Sequence, residues 1–227
     1  MKKQFTLSEL LLIVGVGSIV FAAALSAVQA NAAAAKNMTC QDRLRKIGQA
    51  ALLYAEKNAN FVPFEPRKDS KEMVESFGNN QSRKSWGDYL IWGEYFGDPR
   101  PAGRFEKDFP QERMKYFVCP EDKIAYQRTK FSSSYFFFSI NDVAAVKRNR
   151  FGGEQYSRVL VGRDRPENSV VFDVFPYRGG LFKQSAHGEN ANVLRLGGDV
   201  ESFNIKPAAS ASNIWNWIGE YMDGIEL

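Results

Sequence analysis

The chain has 227 residues, the size of one ordinary domain or one domain with an appendage. A hydrophobic share of 44% and an aromatic share of 14% exclude global disorder and provide for a sizeable core. A net charge of +4 does not call for a nucleic-acid partner, and one His with two Cys excludes a His-rich metal centre, a zinc-ribbon cluster and a disulfide-dense mini-scaffold.

The apolar residues are unevenly spread. After Lys2 and Lys3 comes Phe5-Thr6-Leu7-Ser8-Glu9, and then no charged residue from Leu10 through Ala35. As a helix that run is roughly 39 Å long, enough to cross a hydrocarbon core of about 30 Å. The two lysines orient it with its start on the cytoplasmic side. A cleaved signal peptide, a plain anchor and a pilin-like segment all begin this way. Glu9 separates them. A carboxylate at the mouth of an apolar helix costs on the order of 2.5–3.5 kcal/mol near a helix centre and less toward an end, so retaining one there asks for a partner.

No Pro occurs before Pro63. Cys40, Leu44, Ile47, Ala51 and Tyr54 step by helical spacing, with Arg43, Lys46, Gln49 and Glu56 elsewhere on the wheel. Asn58, Asn60 and Pro63 end the pattern, so one helix is expected from about Phe5 to Lys57, roughly 80 Å long.

At this point the residues resemble a known family. Phe5-Thr6-Leu7-Ser8-Glu9-Leu10-Leu11-Leu12 is similar to the start of type IV prepilins and type II secretion pseudopilins. Cys40 to Ala51 with Phe61-Val62-Pro63 resembles the helix continuation and turn of a bacterial subgroup with this leader. Phe117 to Asp122 resembles its Cys-Pro-x-Asp element, and His187 to Leu194 its late His-Gly-x-x-Asn-Val strand, where His187, Gly188 and Asn192 stand before a turn at Gly197-Gly198. The resemblance implies an α+β pilin-like fold in four parts: a leader at 1–4, a transmembrane or fibre-core helix at 5–35, an amphipathic continuation at 36–60, and a globular head with an antiparallel sheet at 61–227. It implies cleavage between Gln4 and Phe5 by a prepilin peptidase, methylation of the Phe5 amine, and pairing of Glu9 with that amine in a neighbouring subunit, which would set axial register. Three positions differ from the family: Gln4 replaces the usual Gly, Ser8 a branched aliphatic, and Gly197-Gly198-Asp199 an Asp-Gly turn followed by His.

In the head, a short helix with rings on one side is expected over Ser85–Trp92, a short strand over Tyr116–Cys119, and a strand buried on both faces over Ser132–Ile140. Arg158–Gly162 and Ser169–Phe175 are β-rich runs. Val193–Leu196 and Asp199–Phe203 form a hairpin around Gly197-Gly198, with a bulge pairing Arg195 to Glu201. Ile214–Met222 is a closing helix or apolar cap.

Chemistry-bearing residues are sparse. His187 reads either as a turn-forming side chain or as a general base or metal ligand. Ser132-Ser133-Ser134 lacks the Gly-x-Ser-x-Gly elbow. Asp173, Asp199 and Asp223 are separated carboxylates that leave room for a weak calcium site, with no other cofactor expected. Cys40 and Cys119 read as a disulfide if the head lies outside the cytoplasm, or as two buried thiols. Lys and Arg outnumber Asp and Glu between Asp98 and Arg165, densest at Lys147-Arg148-Asn149-Arg150, which reads as a solvated loop before a phosphate contact. The expectation is a non-enzymatic filament subunit of the inner membrane with a periplasmic or surface head, whose partners are the peptidase and other pilin subunits. A membrane-anchored binding or lectin-like domain and an exported hydrolase using His187 are the alternatives.

Overall fold

The computed structural model describes residues 6–63, 74–76, 86–100, 110–122, 133–147, 153–173, 185–206 and 217–225. The chain divides into two compact units, Met1–Met38 and Thr39–Leu227. Helix α1, Leu7–Lys57, runs through the division.

In the first unit α1 carries its apolar side chains on every face. Leu7, Leu11, Leu12, Ile19, Phe21 and Leu25 are all exposed. Leu7–Val28, 22 residues, is long and apolar enough to cross a membrane. Its two interior hydroxyls are turned back onto the backbone, Ser18 donating to the Val14 carbonyl (2.7 Å) and Ser26 to that of Ala23 (2.8 Å). That arrangement removes the polar groups that lipid could not satisfy.

In the second unit the predicted stripe is the seat of α1. Cys40, Leu44, Ile47, Ala50 and Ala51 are buried, with Tyr54 packed at the margin. The helix stops at Asn58–Asn60, where Ala59 and Asn60 take left-handed backbone angles (φ 51° and 64°) and the Asn60 N–H returns to the Ala55 carbonyl.

The seat is made by an antiparallel sheet. Strands β1 (Val74–Ser76), β2 (Tyr135–Ile140), β3 (Ser169–Asp173), β4 (Asn190–Arg195) and β5 (Val200–Asn204) lie in chain order, so each pairs with its sequence neighbour. Alternation along β2 divides the core. Tyr135 and Phe137 join the cluster of α1, while Phe136, Phe138 and Ile140 join a second cluster with Tyr156, Phe172, Trp217, Ile218 and Met222. The closing segment is Trp217 followed by a π-helical turn, Ile218–Met222, the described part of the expected apolar cap; 214–216 lie outside the described residues. The sheet is therefore covered on both faces, in keeping with a β2 that is buried at every position. Helices α2 (Trp86–Trp92) and α3 (Pro110–Phe117) flank the α1 side, and α4 (Asp142–Lys147) follows β2.

Three expectations are corrected. Tyr116 and Phe117 end a helix rather than begin a strand: Pro110 sits at its first position, and Gln111 to Lys115 are good helix formers that override the ring-rich end. Arg158–Gly162 forms a single bridge, Leu160 to Phe61, because the chain turns at once around Asp164. That carboxylate accepts from the N–H groups of Val159 and Leu160 and from the Ser157 hydroxyl. The β4–β5 register places Val193 opposite Glu201 and Leu194 opposite Val200, not Arg195 opposite Glu201. The loop has three residues, Leu196 to Gly198, with Gly198 at φ +96°, the three-residue solution for this connection. Arg195 still reaches Glu201 diagonally (2.8 Å).

One charged pair lies inside the second cluster. Arg158 is fully buried; its guanidinium bonds Asp223 (2.9 Å) and the Ser169 carbonyl (2.9 Å) and lies over the rings of Phe138 and Tyr156. Asp223 also accepts from the Ser169 N–H and hydroxyl, which ties the closing segment to β3. Asp223→Ala leaves the guanidinium without its counter-charge and is expected to cost about 3–5 kcal/mol. The double change Arg158→Met with Asp223→Leu should recover most of it, as read by urea unfolding of the full chain in detergent.

Candidate functional site

The polar groups on the α1 side of the sheet converge on one point. Cys40 is on α1, Cys119 lies just past α3, Asp173 closes β3, and His187 sits in the turn that leads into β4. Cys40 and Cys119 form a disulfide with Cα atoms 5.4 Å apart across 79 residues, the paired form of the two alternatives. His187 Nε2 lies 3.3 Å from Cys119 Sγ and 3.3 Å from Asp173 Oδ2. Asp173 follows Phe172 on β3, so alternation turns it back toward α1.

The turn holds the imidazole in place. The His187 N–H donates to Ser185 Oγ (3.2 Å), whose hydroxyl donates to the Asn190 carbonyl (2.8 Å). Gly188 has φ +68°, a conformation that favours glycine. Asn192 completes the arrangement. Its N–H donates to Asp173 Oδ2 (2.8 Å), and its side-chain oxygen accepts from Gln41 on α1 (3.1 Å). The motif residues His187, Gly188 and Asn192 thus frame one buried carboxylate, while Gly197 and Gly198 shape the hairpin turn beyond it.

Burial sets the electrostatics. The Asp173 carboxyl is wholly buried, and desolvation lifts it to about 7, opposed by the hydrogen bonds from Asn192. Desolvation likewise pushes His187 below its ordinary value, against the raising influence of Glu121 and Asp122. Burial therefore favours the neutral acid beside the neutral imidazole over the ion pair, with one proton between Nε2 and Oδ2. Desolvation, and then the Asp173 charge, raises the buried Tyr135 phenol well above its ordinary range. Among the described residues, Asp173 Oδ1 and the Tyr135 hydroxyl have no hydrogen-bond partner.

The other candidates fall elsewhere. Ser133 and Ser134 are buried, and the Ser133 hydroxyl serves the backbone of Phe117 and Tyr135. Asp199 is exposed just past the hairpin loop, opposite Arg195, and Asp223 belongs to Arg158, so the three separated carboxylates have three different settings. Gln4, Phe5 and 148–150 of the basic patch lie outside the described residues.

Glu9 has a local partner that the charge argument missed. The Thr6 N–H and hydroxyl both donate to Glu9 Oε2 (2.8 and 2.9 Å), and the Glu9 N–H donates to Thr6 Oγ1 (3.3 Å). This is a reciprocal capping box, and Thr-x-x-Glu before an apolar run is its sequence sign. The Asp173–His187 pair was missed too, because the two residues are distant in sequence and only the β3–β4 pairing joins them.

Comparison with family models, curated proteins and solved structures finds no match for this chain.

The raised Asp173 carboxyl has a definite sign. Between its ordinary 3.8 and about 7 the folded chain binds this proton more tightly than the unfolded chain. Its contribution to stability is therefore fully present below about pH 4 and is lost as pH rises through 7. The melting-temperature advantage of the wild type over Asp173→Asn should shrink steadily from pH 5 to pH 8 in calorimetry. A gap independent of pH would mean that Asp173 is ionised throughout.

Proposed function

We propose that the chain is a non-enzymatic, pilin-like subunit anchored in the inner membrane by α1 and assembled through it into a filament of the type IV pilus or type II secretion kind. One observation carries the reading. Leu7–Val28 is apolar and exposed on every face, and the single charge between Leu7 and Ala35 is a carboxylate in the first helical turn. Such a helix suits lipid first and a bundle of like helices afterwards, and the carboxylate offers a neighbour's amine a site on the bundle axis.

Lys2 and Lys3 place the start of α1 on the cytoplasmic side and the head outside. A disulfide between α1 and the head is in keeping with an oxidising compartment. The His187 side chain is only 6% exposed and turned to Asp173 and the disulfide, which supports a structural role in preference to hydrolysis. The partners are a prepilin peptidase and further subunits of the same kind.

Sequencing the protein from host envelopes should find a methylated Phe5 at the N-terminus. A chain that retains Met1, or that starts between Ala32 and Lys36, overturns the reading. The capping box sharpens a second test. Glu9→Gln keeps an acceptor for Thr6 and so keeps the cap, but removes the charge. It should enter the membrane normally and fail to enter filaments; normal incorporation would remove the pairing role.

A further inference from the structure

The groups around the disulfide include three grouped donors that suit a metal site, with a carboxylate beside one of them. Cys40 Sγ, Cys119 Sγ and His187 Nε2 all lie within 4.8 Å of one another. Asp173 Oδ2 is 3.3 Å from the same Nε2. Zinc bonds of about 2.3 Å to sulfur and about 2.0–2.2 Å to nitrogen or oxygen place tetrahedral ligand atoms about 3.3–3.8 Å apart. The imidazole nitrogen already stands at that spacing from one sulfur and from the carboxylate, both at 3.3 Å.

The surroundings also suit a cation. Asp173 is fully buried with Oδ1 unpartnered among the described residues, and Glu121 and Asp122 lie close enough to act on His187. Asp173 Oδ2 is steadied by the Asn192 N–H, and the His187 turn by Ser185, the kind of outer hydrogen bonding that orients metal ligands. All four side chains come from the second unit and are set by four different parts of the fold.

We propose that the dithiol form of this chain binds one zinc ion through Cys40, Cys119, His187 and Asp173, so that disulfide and zinc site are alternative states of the same four side chains. Binding releases a proton from each thiol and the proton that Asp173 shares with His187, as two zinc–sulfur bonds, one zinc–nitrogen bond and one zinc–oxygen bond form. Two thiolates, a neutral imidazole and a carboxylate leave the site with one net negative charge around Zn²⁺. Two thiolates with an imidazole in tetrahedral array select zinc over the hard cations that an all-oxygen site would take. While the metal is bound, both sulfurs are committed and the disulfide cannot form.

The test uses the full chain in detergent. A water-soluble phosphine reduces it, each phosphine taking one oxygen from water to become the oxide as the disulfide becomes two thiols. The chain is then dialysed against zinc, and metal is counted by mass spectrometry. The reduced chain should hold about one zinc and the oxidised chain none. Cobalt in place of zinc should give tetrahedral visible bands and thiolate charge-transfer absorption. Zinc should raise the melting temperature of the reduced chain alone and shield both thiols from alkylation. His187→Gln, checked for folding by circular dichroism in its oxidised form, should weaken binding at least about tenfold, and Asp173→Asn should do the same. Equal zinc in oxidised and reduced chains, no uptake by the reduced chain, or unchanged affinity in His187→Gln overturns the site.

Discussion

The fold of the second unit depends on how closely α1 can approach the sheet, and that approach is fixed at two points. At one end the Cys40–Cys119 bond joins the helix to the segment after α3. Closing a loop of 79 residues removes about 4.5 kcal/mol of unfolded-chain entropy on the loop-closure account. Further along, a Cβ on Gly48 would stand 2.7 Å from Leu194 Cδ1, so helix and strand β4 meet where only a glycine leaves the leucine its place. One turn later Leu52 touches Gly198, the left-handed residue of the β4–β5 loop. Helix seat and hairpin turn therefore constrain each other. The three-residue loop belongs to that constraint, because it is the connection that brings Gly198 beneath Leu52.

Each face of the sheet holds one buried polar device, and the two differ in how they answer desolvation. On the second-cluster face, Asp223, two carbonyl oxygens and two aromatic rings surround the Arg158 guanidinium. On the α1 face, the described residues put no permanent cation in contact with Asp173, only an imidazole that burial also discharges, so neutrality is the cheaper solution there. The first device locks the closing segment to β3. The second leaves an imidazole and two sulfurs within 4.8 Å of one another with a carboxylate against the imidazole, a combination with chemistry still open to it.

The sequence disclosed what periodicity and composition can carry. The stripe Cys40 to Tyr54, the doubly buried β2 and the break at Asn58–Asn60 each depend on neighbours close in the chain, and each appears where the spacing puts it. Misreadings came where tertiary context outranks local preference. Tyr116 and Phe117 favour strands in isolation, yet they finish a helix begun by Pro110. The hairpin register was inferred from matching Arg195 with Glu201, and that ion pair forms on the diagonal once the helix has dictated the loop. Within the site, the disulfide was legible because only two cysteines exist. The Asp173–His187 pair was not, since no local pattern records which strands will lie side by side. Strand β1 carried no signal either, its three residues being too few for any period.

The capping box changes the logic of Glu9 without removing its interest. A carboxylate in the first turn of a helix is already favoured by the unsatisfied N–H groups and the positive end of the dipole, and here it is further held by Thr6. Its presence alone no longer demands a cation from another chain. Yet a cap explains only an acceptor, and Gln at the same position would cap as well without a charge to keep out of lipid. Both donors end on Oε2, so the box occupies one oxygen and holds the group in a defined orientation. A carboxylate oriented by its own helix has less rotamer freedom to lose when an amine arrives. On the proposed filament reading the box and an inter-subunit pair would be successive uses of one side chain: Thr6 orients the carboxylate at the start of the apolar helix, and the ionised group, which the cap itself does not require, is what a neighbouring N-terminus would recognise.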